Sequence, residues 1–397
     1  ARSAVCIATL ALCLFAALAA AQTNPGDYII GNQSGVLGTS ILATTPGSNT
    51  LRTIAVLPAS QSLRGVLVGP FNTEYFAASG LSVYKADAGG LVTTLVTTLP
   101  IGVGTCWADL DETGDLLVGT GWSGNGALFR LDLKGNLLTT MIPNTFPNVF
   151  CLDRDTGEIV VGESGSRMIL RIQRDGTITS VASSPSTPYA MDYHPLSGNV
   201  LLGTSSRIYA ISPSNQVSTF ANVPMLVKSM AVAGDGSVTI GSNGGTTMLR
   251  YDASGTLLGT VYTGPAIKNV CMVIDGEHTL WGLNQPTLGN AFSLGVRFAN
   301  LPGRAYVTAA SFAPRPGFTV NGHHVPLNPD NLFAASVAIP QVFVKFRGLL
   351  DTGGRAFPLV MLPRVAALRG LRVFFATVVV DPNAPSGIGG VSQEYGV

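Results

Sequence analysis

The sequence predicts an all-β protein in which one four-stranded unit is repeated about every 40 residues. Short apolar strands end in a small residue at a regular spacing, at Gly31, Ala78, Gly119, Gly162, Gly203, Gly241 and Gly282. A series of prolines keeps the same period, at Pro58, Pro100, Pro143, Pro185, Pro224 and Pro265. Two residue types that keep one period indicate a repeated supersecondary unit. Abundant glycine and threonine, with few helix formers, favour strands.

The unit from 105 to 143 shows how the strands follow one another. Its predicted strands are 106–110, 115–119, 127–132 and 137–142, and glycine-bearing turns separate them. Four strands joined in this way form an antiparallel meander. A four-stranded meander repeated at this spacing is typical of a β-propeller blade.

The blade count depends on which strands lie at the centre. Inner strands are predicted near Val66, Trp107, Phe150, Met191, Met230 and Cys271. The first unit begins at Asp27 in what is already a second strand, so it needs an inner strand from elsewhere. The strand 269–274 can supply it, which closes the ring and removes exposed edges. This predicts a six-bladed propeller over 22–286, and the leftover strand 279–282 supports a seven-bladed alternative.

Two features resemble the NHL, SMP-30 and streptogramin-lyase group of propellers. They are the segment 110–119 and third strands such as 169–172 followed by Asp175-Gly176. The resemblance covers about 27–285 and implies a propeller architecture. The resemblance to the SMP-30 group implies a divalent metal at the channel. The resemblance to the streptogramin lyases implies a catalytic histidine. The two histidines of the repeat region, His194 and His278, are predicted at turns on the rim and exposed to solvent.

The period fails after residue 286, and a different module follows. Its candidate strands are 292–298, 304–312, 338–346, 355–361 and 373–380. The alternating apolar pattern and the length predict an Ig-like β-sandwich over 287–397. The module resembles C-terminal domains of secreted proteins of environmental bacteria such as planctomycetes, a resemblance that implies no known activity.

The first 21 residues predict a secretory signal peptide. Arg2 supplies a positive charge, 5–15 is apolar, and Ala19-Ala20-Ala21 offers a cleavage site. A membrane anchor is the alternative, because the apolar run is just long enough to span a bilayer. The small residues at its end favour cleavage. We therefore expect a secreted or cell-surface protein, extracellular or periplasmic, without a membrane span after cleavage.

Charged residues make up only 11% of the chain and the net charge is +1, against about 25% charged residues in typical soluble proteins. Such a neutral surface gives no electrostatic reason to bind nucleic acid. Three cysteines, Cys106, Cys151 and Cys271, lie beyond the signal. Their odd number leaves at least one thiol free or paired between chains. Cys151 and Cys271 share one column of the repeat, which predicts small buried side chains.

The loops that enter the inner strands are the first candidates for a ligand site, because propellers bind ligands at the channel mouth. Three such positions are basic, Arg64, Lys228 and Lys268, and Asn148 and Tyr189 fall in the same column. If these side chains face the mouth, they favour an anionic ligand. The alternative is that they are solvated loop residues.

The loops after the second strands offer a further set of polar side chains. These are Asn32, Trp122, Glu163, Asn243 and Asn284. Trp122 is a candidate ligand contact. Glu163 with Asn243 and Asn284 is a candidate site for a divalent metal such as Ca²⁺, although one carboxylate is few for a hard cation.

The leading hypothesis is a secreted, non-catalytic propeller without a cofactor, acting in binding or surface assembly. Its ligand would be extracellular, either an anion or a polysaccharide. The alternative is a metal-dependent propeller enzyme, a lactone hydrolase or lyase, acting at the channel mouth. A third possibility is that the C-terminal module attaches the protein to carbohydrate.

Overall fold

The computed structural model describes residues 28–34, 38–45, 48, 50–58, 63–69, 74–87, 89–96, 98–100, 105–111, 114–121, 126–145, 147–242, 245–267, 269–272 and 279–397. The predicted signal 1–21, Trp122, Asn243, Lys268 and His278 lie outside these residues. The regular structure is almost entirely strand, so the all-β class is confirmed. In the described part of the chain, no helix has the length and apolarity to cross a membrane.

The repeat region forms six antiparallel sheets of four strands each, counted over the described residues. In each sheet the strands lie in the order inner, second, third and outer. The inner strands of sheets 1 to 6 are Asn269–Met272, Leu63–Val68, Thr105–Leu110, Pro147–Asp153, Ala190–His194 and Ser229–Val232. The second strands are Tyr28–Ser34, Glu74–Ser79, Leu116–Thr120, Glu158–Glu163, Asn199–Gly203 and Val238–Gly241. The third strands are Gly38–Thr44, Ser82–Asp87, Gly126–Leu131, Met168–Ile172, Arg207–Ile211 and Gly245–Tyr251. The outer strands are Arg52–Val56, Val92–Val96, Leu137–Thr145, Ile178–Ser183, Val217–Asn222 and Leu257–Ile267.

The inner strands follow one another around a closed cycle. Each contacts the inner strand of the next sheet, and the inner strand of sheet 6 contacts that of sheet 1. Four-stranded sheets arranged around a common centre are consistent with a β-propeller.

Sheet 1 joins the two ends of the repeat region, as the sequence predicts. Its inner strand comes from the far end of the repeats and pairs with its second strand, so that Met272 lies opposite Tyr28 and Asn269 opposite Gly31. This pairing covers an edge that each end would otherwise expose.

The small residues of the period are explained by close contact between neighbouring sheets. A Cβ on Gly31 would lie 2.9 Å from side-chain carbons of Leu63 and Val66 in sheet 2. A Cβ on Gly203 would lie 2.4 Å from a methyl carbon of Val227, which precedes the inner strand of sheet 6. Glycine at these positions therefore lets each second strand approach the next sheet.

The strand that supported a seventh blade belongs elsewhere. Leu280–Gly282 pairs with Ala291–Arg297 in the C-terminal unit. A Cβ on Gly282 would meet the Tyr395 hydroxyl of that unit, so Gly282 falls into the glycine series by coincidence. The predicted propeller range 22–286 therefore includes a strand of the C-terminal unit.

The C-terminal unit contains two five-stranded sheets. The first consists of Leu280–Gly282, Ala291–Arg297, Phe343–Val344, Arg355–Ala356 and Leu359–Met361. The second consists of Ala305–Ser311, Arg347–Leu349, Phe374–Val380, Ile388–Val391 and Tyr395–Gly396. Phe318–Val320 and His323–Val325 form a separate hairpin, and Ala366–Leu368 is a 3₁₀ helix. One buried cluster takes Phe292 from the first sheet and Phe375 from the second, so the two sheets share a core.

One predicted strand of this unit is wrong in part. The sequence predicts a strand over 338–346, but an α-helix, Asn331–Ala338, ends where that strand should begin. The Asp330 carboxylate accepts a hydrogen bond from the Phe333 N–H at 2.8 Å. Such a cap stabilises the first turn of a helix. Of the predicted strand 338–346, only Phe343–Val344 is observed as strand.

The C-terminal unit docks on the turns between inner and second strands. The Trp281 indole lies against Gly114 in sheet 3. Arg315 forms an ion pair with Asp155 in sheet 4, and Asp155 also accepts a hydrogen bond from the Tyr193 hydroxyl at 2.6 Å. Arg372 donates to the Arg154 carbonyl at 3.2 Å. The unit therefore covers the end of the ring at which the inner strands finish.

Candidate functional site

The opposite end of the ring, where the inner strands begin, carries the predicted ligand residues. In sheets 2 to 6 the register places one residue at an equivalent position, directly before the residue that pairs with the small residue of the second strand. This set, which we call the mouth column, is Arg64, Cys106, Asn148, Tyr189 and Lys228, and the sequence repeat adds Lys268. Arg64, Asn148, Tyr189 and Lys228 are each half-buried. The side chains of Cys106 and Lys268 lie outside the description.

Two contacts join neighbouring members of the mouth column. The Lys228 Nζ lies over the Tyr189 ring, 3.6 Å from its centroid. The Asn148 amide donates a hydrogen bond to the carbonyl of Pro188, the residue before Tyr189. The structure therefore brings together Asn148, Tyr189 and Lys228 from three consecutive sheets.

Rigid backbone supports Lys228 and Tyr189. The Lys228 N–H donates to the Gly241 carbonyl at 2.9 Å, and the Tyr189 N–H donates to the Gly203 carbonyl at 2.9 Å. Val227, next to Lys228, is fully buried. The backbone of each residue is thus hydrogen-bonded to the second strand of its own sheet.

Lys228 is an unusual lysine. Burial, with a contribution from the Arg64 charge, lowers its pKa to about 8. Among the residues that the structure describes, no carboxylate forms an ion pair with its ammonium, whose contact is the Tyr189 ring. The Arg64 charge is therefore close enough to act on the Lys228 ammonium, and both residues belong to the mouth column.

Trp107 lies one residue deeper than the mouth column, at a position that the sequence did not mark as part of a ligand site. Its half-buried indole packs against three buried clusters, which lie between sheets 3 and 4, sheets 4 and 5, and sheets 5 and 6. Only a side chain near the axis reaches all three. The residues at this level in sheets 2, 4, 5 and 6 are small, Gly65, Val149, Ala190 and Ser229. This contrast in size was readable from the aligned repeats, but the sequence suggested only a tryptophan between blades.

Two aspartates lie two residues deeper along the inner strands. Asp109 accepts a hydrogen bond from the Leu110 N–H at 2.7 Å. Asp192 accepts one from the Tyr193 N–H at 2.8 Å and one from the Val232 N–H of sheet 6 at 2.7 Å. These carboxylates cap backbone amides, and the Trp107 level separates them from the cations of the mouth.

The two predicted metal ligands that the structure describes, Glu163 and Asn284, are not gathered into one site. Glu163 accepts a hydrogen bond from Ser166 in its own sheet. Asn284 lies in the C-terminal unit, where its amide donates to the Ala291 carbonyl at 2.9 Å and accepts from the Ser293 N–H at 2.7 Å. In the described part of the chain, no group of three or more His, Cys, Asp or Glu side chains could hold a metal ion.

The expectation of an exposed rim histidine is wrong for His194. Its exposed fraction is 2%, because it packs against Phe220, with 5.8 Å between the ring centroids. Its Nδ1 accepts a hydrogen bond from the Ser197 N–H at 3.2 Å. Cys151 is buried, as predicted.

The comparisons with known proteins address the fold. No protein-family model and no curated protein matches the sequence. A chain in a crystal structure of a nidogen/laminin complex is 13% identical, with a TM-score of 0.52 over 63% of this chain and 99% of that one. At this identity the likeness shows a shared fold only. The fold is consistent with a β-propeller.

Two further similar structures have lower scores. A protein of unknown function from Bacteroides caccae is 14% identical, with a TM-score of 0.49 over 63% of this chain and 99% of that one. A catalytically inactive virginiamycin B lyase from Staphylococcus aureus, determined with quinupristin, is 14% identical, with a TM-score of 0.46 over 60% of this chain and 85% of that one.

Proposed function

We propose that the protein is a secreted six-bladed propeller that binds an anionic ligand at the mouth of its channel, as a binding protein rather than an enzyme. The blade count is supported by the six four-stranded sheets and by the cyclic contacts of their inner strands. The C-terminal unit, which we propose to be a β-sandwich, docks on the end of the ring opposite the mouth.

The observation that carries the proposal is the pair of cations at the mouth. Two like charges that face one opening raise the free energy of the empty site. An anion placed between Arg64 and Lys228 relieves that repulsion and gains charge-assisted hydrogen bonds. The site is therefore built to favour a negative ligand over a neutral one.

The metal-dependent alternative has less support from the described residues. Its ligands Glu163 and Asn284 are engaged in separate parts of the chain, and Asn243 lies outside the described residues. We therefore carry forward the binding function alone.

The direct test compares charged and neutral polymers. Isothermal titration calorimetry of the purified protein should show binding to polygalacturonate or dextran sulfate and none to neutral dextran. Binding should weaken as salt is added, because screening reduces attraction between exposed charges. Equal binding of dextran and the charged polymers would contradict the proposal.

Lys228→Met is expected to weaken polygalacturonate binding about tenfold, since a half-buried charge contact contributes about 1.4 kcal/mol. The matched control is Lys134→Met, which removes an exposed lysine at a turn of sheet 3. Equal losses in the two variants would point to nonspecific attraction and would contradict a site at the mouth.

The affinity for an anion is expected to fall as the pH rises. Lys228 carries its charge below its pKa of about 8, so binding should be nearly full at pH 7 and fall about fivefold by pH 9. Lys228→Arg, whose side chain stays charged over this range, should bind without the decline. Titrations of both proteins across pH 6.5–9.5 measure the effect, and parallel curves would exclude Lys228 as the group responsible.

A further inference from the structure

The mouth combines cations at its rim with an aromatic side chain below them. Trp107 lies one residue further along its strand than the mouth column, a step of about 3.3 Å. Its packing against three inter-sheet clusters places the indole near the axis. It is half-buried, so part of the ring remains accessible to solvent.

The indole closes the channel below the rim. Clusters on several sides hold it, and the small residues at its level in sheets 2, 4, 5 and 6 leave room for a large side chain. A ligand that enters the mouth therefore contacts the indole about 3.3 Å below the mouth column, a distance of one residue along the strand. It cannot thread through the ring, and the C-terminal unit covers the far end in any case.

From this geometry we infer that the mouth receives a ring-borne carboxylate presented end-on, its ring on the Trp107 indole and its carboxylate beside Lys228 and Arg64. The inference rests on the proposed anion-binding function and specifies the class of ligand. Tryptophan offers a flat apolar surface to a sugar or aromatic ring. A carboxylate at the edge of that ring accepts hydrogen bonds from a guanidinium and an ammonium.

The shape also decides which part of a long ligand can bind. A blind opening admits the end of a chain, whereas an internal segment needs an open groove. Two sources present the required group, a terminal uronic acid of a polysaccharide and a free aromatic acid. Both have the same chemistry, a carboxylate on a six-membered ring.

The test compares probes that differ in length, charge and ring. Galacturonic acid, its dimer, tetramer and hexamer, glucose, benzoate and sulfate are each titrated into the full-length protein. If the end of the chain is recognised, the four galacturonates should bind with molar affinities within about threefold of each other, at one site per protein. Glucose and sulfate should bind at least ten times more weakly. Tight binding of benzoate alone would support the inference and identify the free acid as the source.

Substitutions at Trp107 give the second readout. Trp107→Phe should retain galacturonate binding and reduce the ligand-induced change in tryptophan fluorescence, because the indole that contacts the ligand ring is removed. Trp107→Leu, once its thermal unfolding shows that it is folded, should bind at least ten times more weakly.

Three results would overturn the inference. They are affinity that grows in proportion to galacturonate length, sulfate that binds as tightly as galacturonate, and a folded Trp107→Leu with unchanged affinity. If Lys228→Met still weakens polygalacturonate binding in such a case, the anion-binding function stands and only the ligand class fails. Loss of discrimination between charged and neutral polymers would overturn both.

Discussion

Arg171→Met is expected to destabilise the protein by about 3–5 kcal/mol, because it leaves a buried carboxylate without its cation. The Arg171 Nη1 lies 2.7 Å from Asp153 Oδ2 and 3.0 Å from Glu158 Oε2. The exposed fractions of Arg171 and Asp153 are 5% and 1%. The Arg171 Nε also donates to Asn215 Oδ1 of sheet 5 at 3.0 Å. One guanidinium therefore joins two strands of its own sheet and the neighbouring sheet.

Urea unfolding at pH 7 measures this effect, and the chain supplies a matched control. Arg250 occupies the same position on the third strand of sheet 6. Its pair with Asp235 is longer, 3.4 Å, and its partner is largely exposed. Arg250→Met should therefore cost less than about 1 kcal/mol. Similar losses in the two variants would mean that burial of the Arg171 pair is not the cause.

A second variant separates the charge from the packing. Arg171→Met combined with Asp153→Leu removes both members of the buried pair. Replacing a buried ion pair by apolar side chains is often close to neutral, so the double variant should recover part of the stability lost in Arg171→Met. If it is less stable still, the hydrogen bonds that Asp153 Oδ1 accepts from the Asp155 and Thr156 N–H groups outweigh the cost of its unpaired charge.

Gly203→Ala is expected to destabilise the protein by about 1–3 kcal/mol, the usual cost of overpacking a core. The added carbon would lie 2.4 Å from Val227 Cγ1 and 2.9 Å from Val227 Cβ. Val227 is fully buried, and its N–H donates to the Thr204 carbonyl at 2.9 Å. Relief of the contact therefore requires sheets 5 and 6 to move apart.

The control for this variant is the natural alanine of the series. Ala78 occupies in sheet 2 the position that Gly203 occupies in sheet 5, so a Cβ is tolerated there. Ala78→Gly should cost less than about 1 kcal/mol, mainly through chain entropy. Val227→Ala in the Gly203→Ala background should show favourable coupling in a double-mutant cycle by thermal unfolding. Independent effects of Gly203→Ala and Val227→Ala would exclude the steric explanation.

Much of the repeat could be predicted, because its spacing has a direct physical cause. Residues such as Gly31 and Gly203 are small where one sheet meets the next, so the period of the sequence follows the period of the packing. The joining of the two ends in sheet 1 also followed, since a lone second strand needs a partner. The series of small residues gave a wrong prediction at Gly282. This glycine is required by its contact with Tyr395 of the C-terminal unit, and its spacing matches the repeat by coincidence.

The candidate site was predicted in part. The column of Arg64, Asn148, Tyr189 and Lys228 follows from aligned repeats, because equivalent positions of a ring lie at the same height. The contact of Lys228 with Tyr189 and the central place of Trp107 do not follow. Both depend on how far a side chain reaches across the ring, which no local pattern encodes.

The sequence by itself determined the strand pattern, the number of residues in a repeat and the column of polar residues at the mouth, since each depends on local alternation and spacing. Only the tertiary structure decided that Leu280–Gly282 joins the C-terminal unit, that His194 is buried, and that the Trp107 indole packs against three clusters between the sheets. Each of these features depends on contacts between segments that are distant in sequence. Such contacts are determined by tertiary packing, which local sequence preference does not encode.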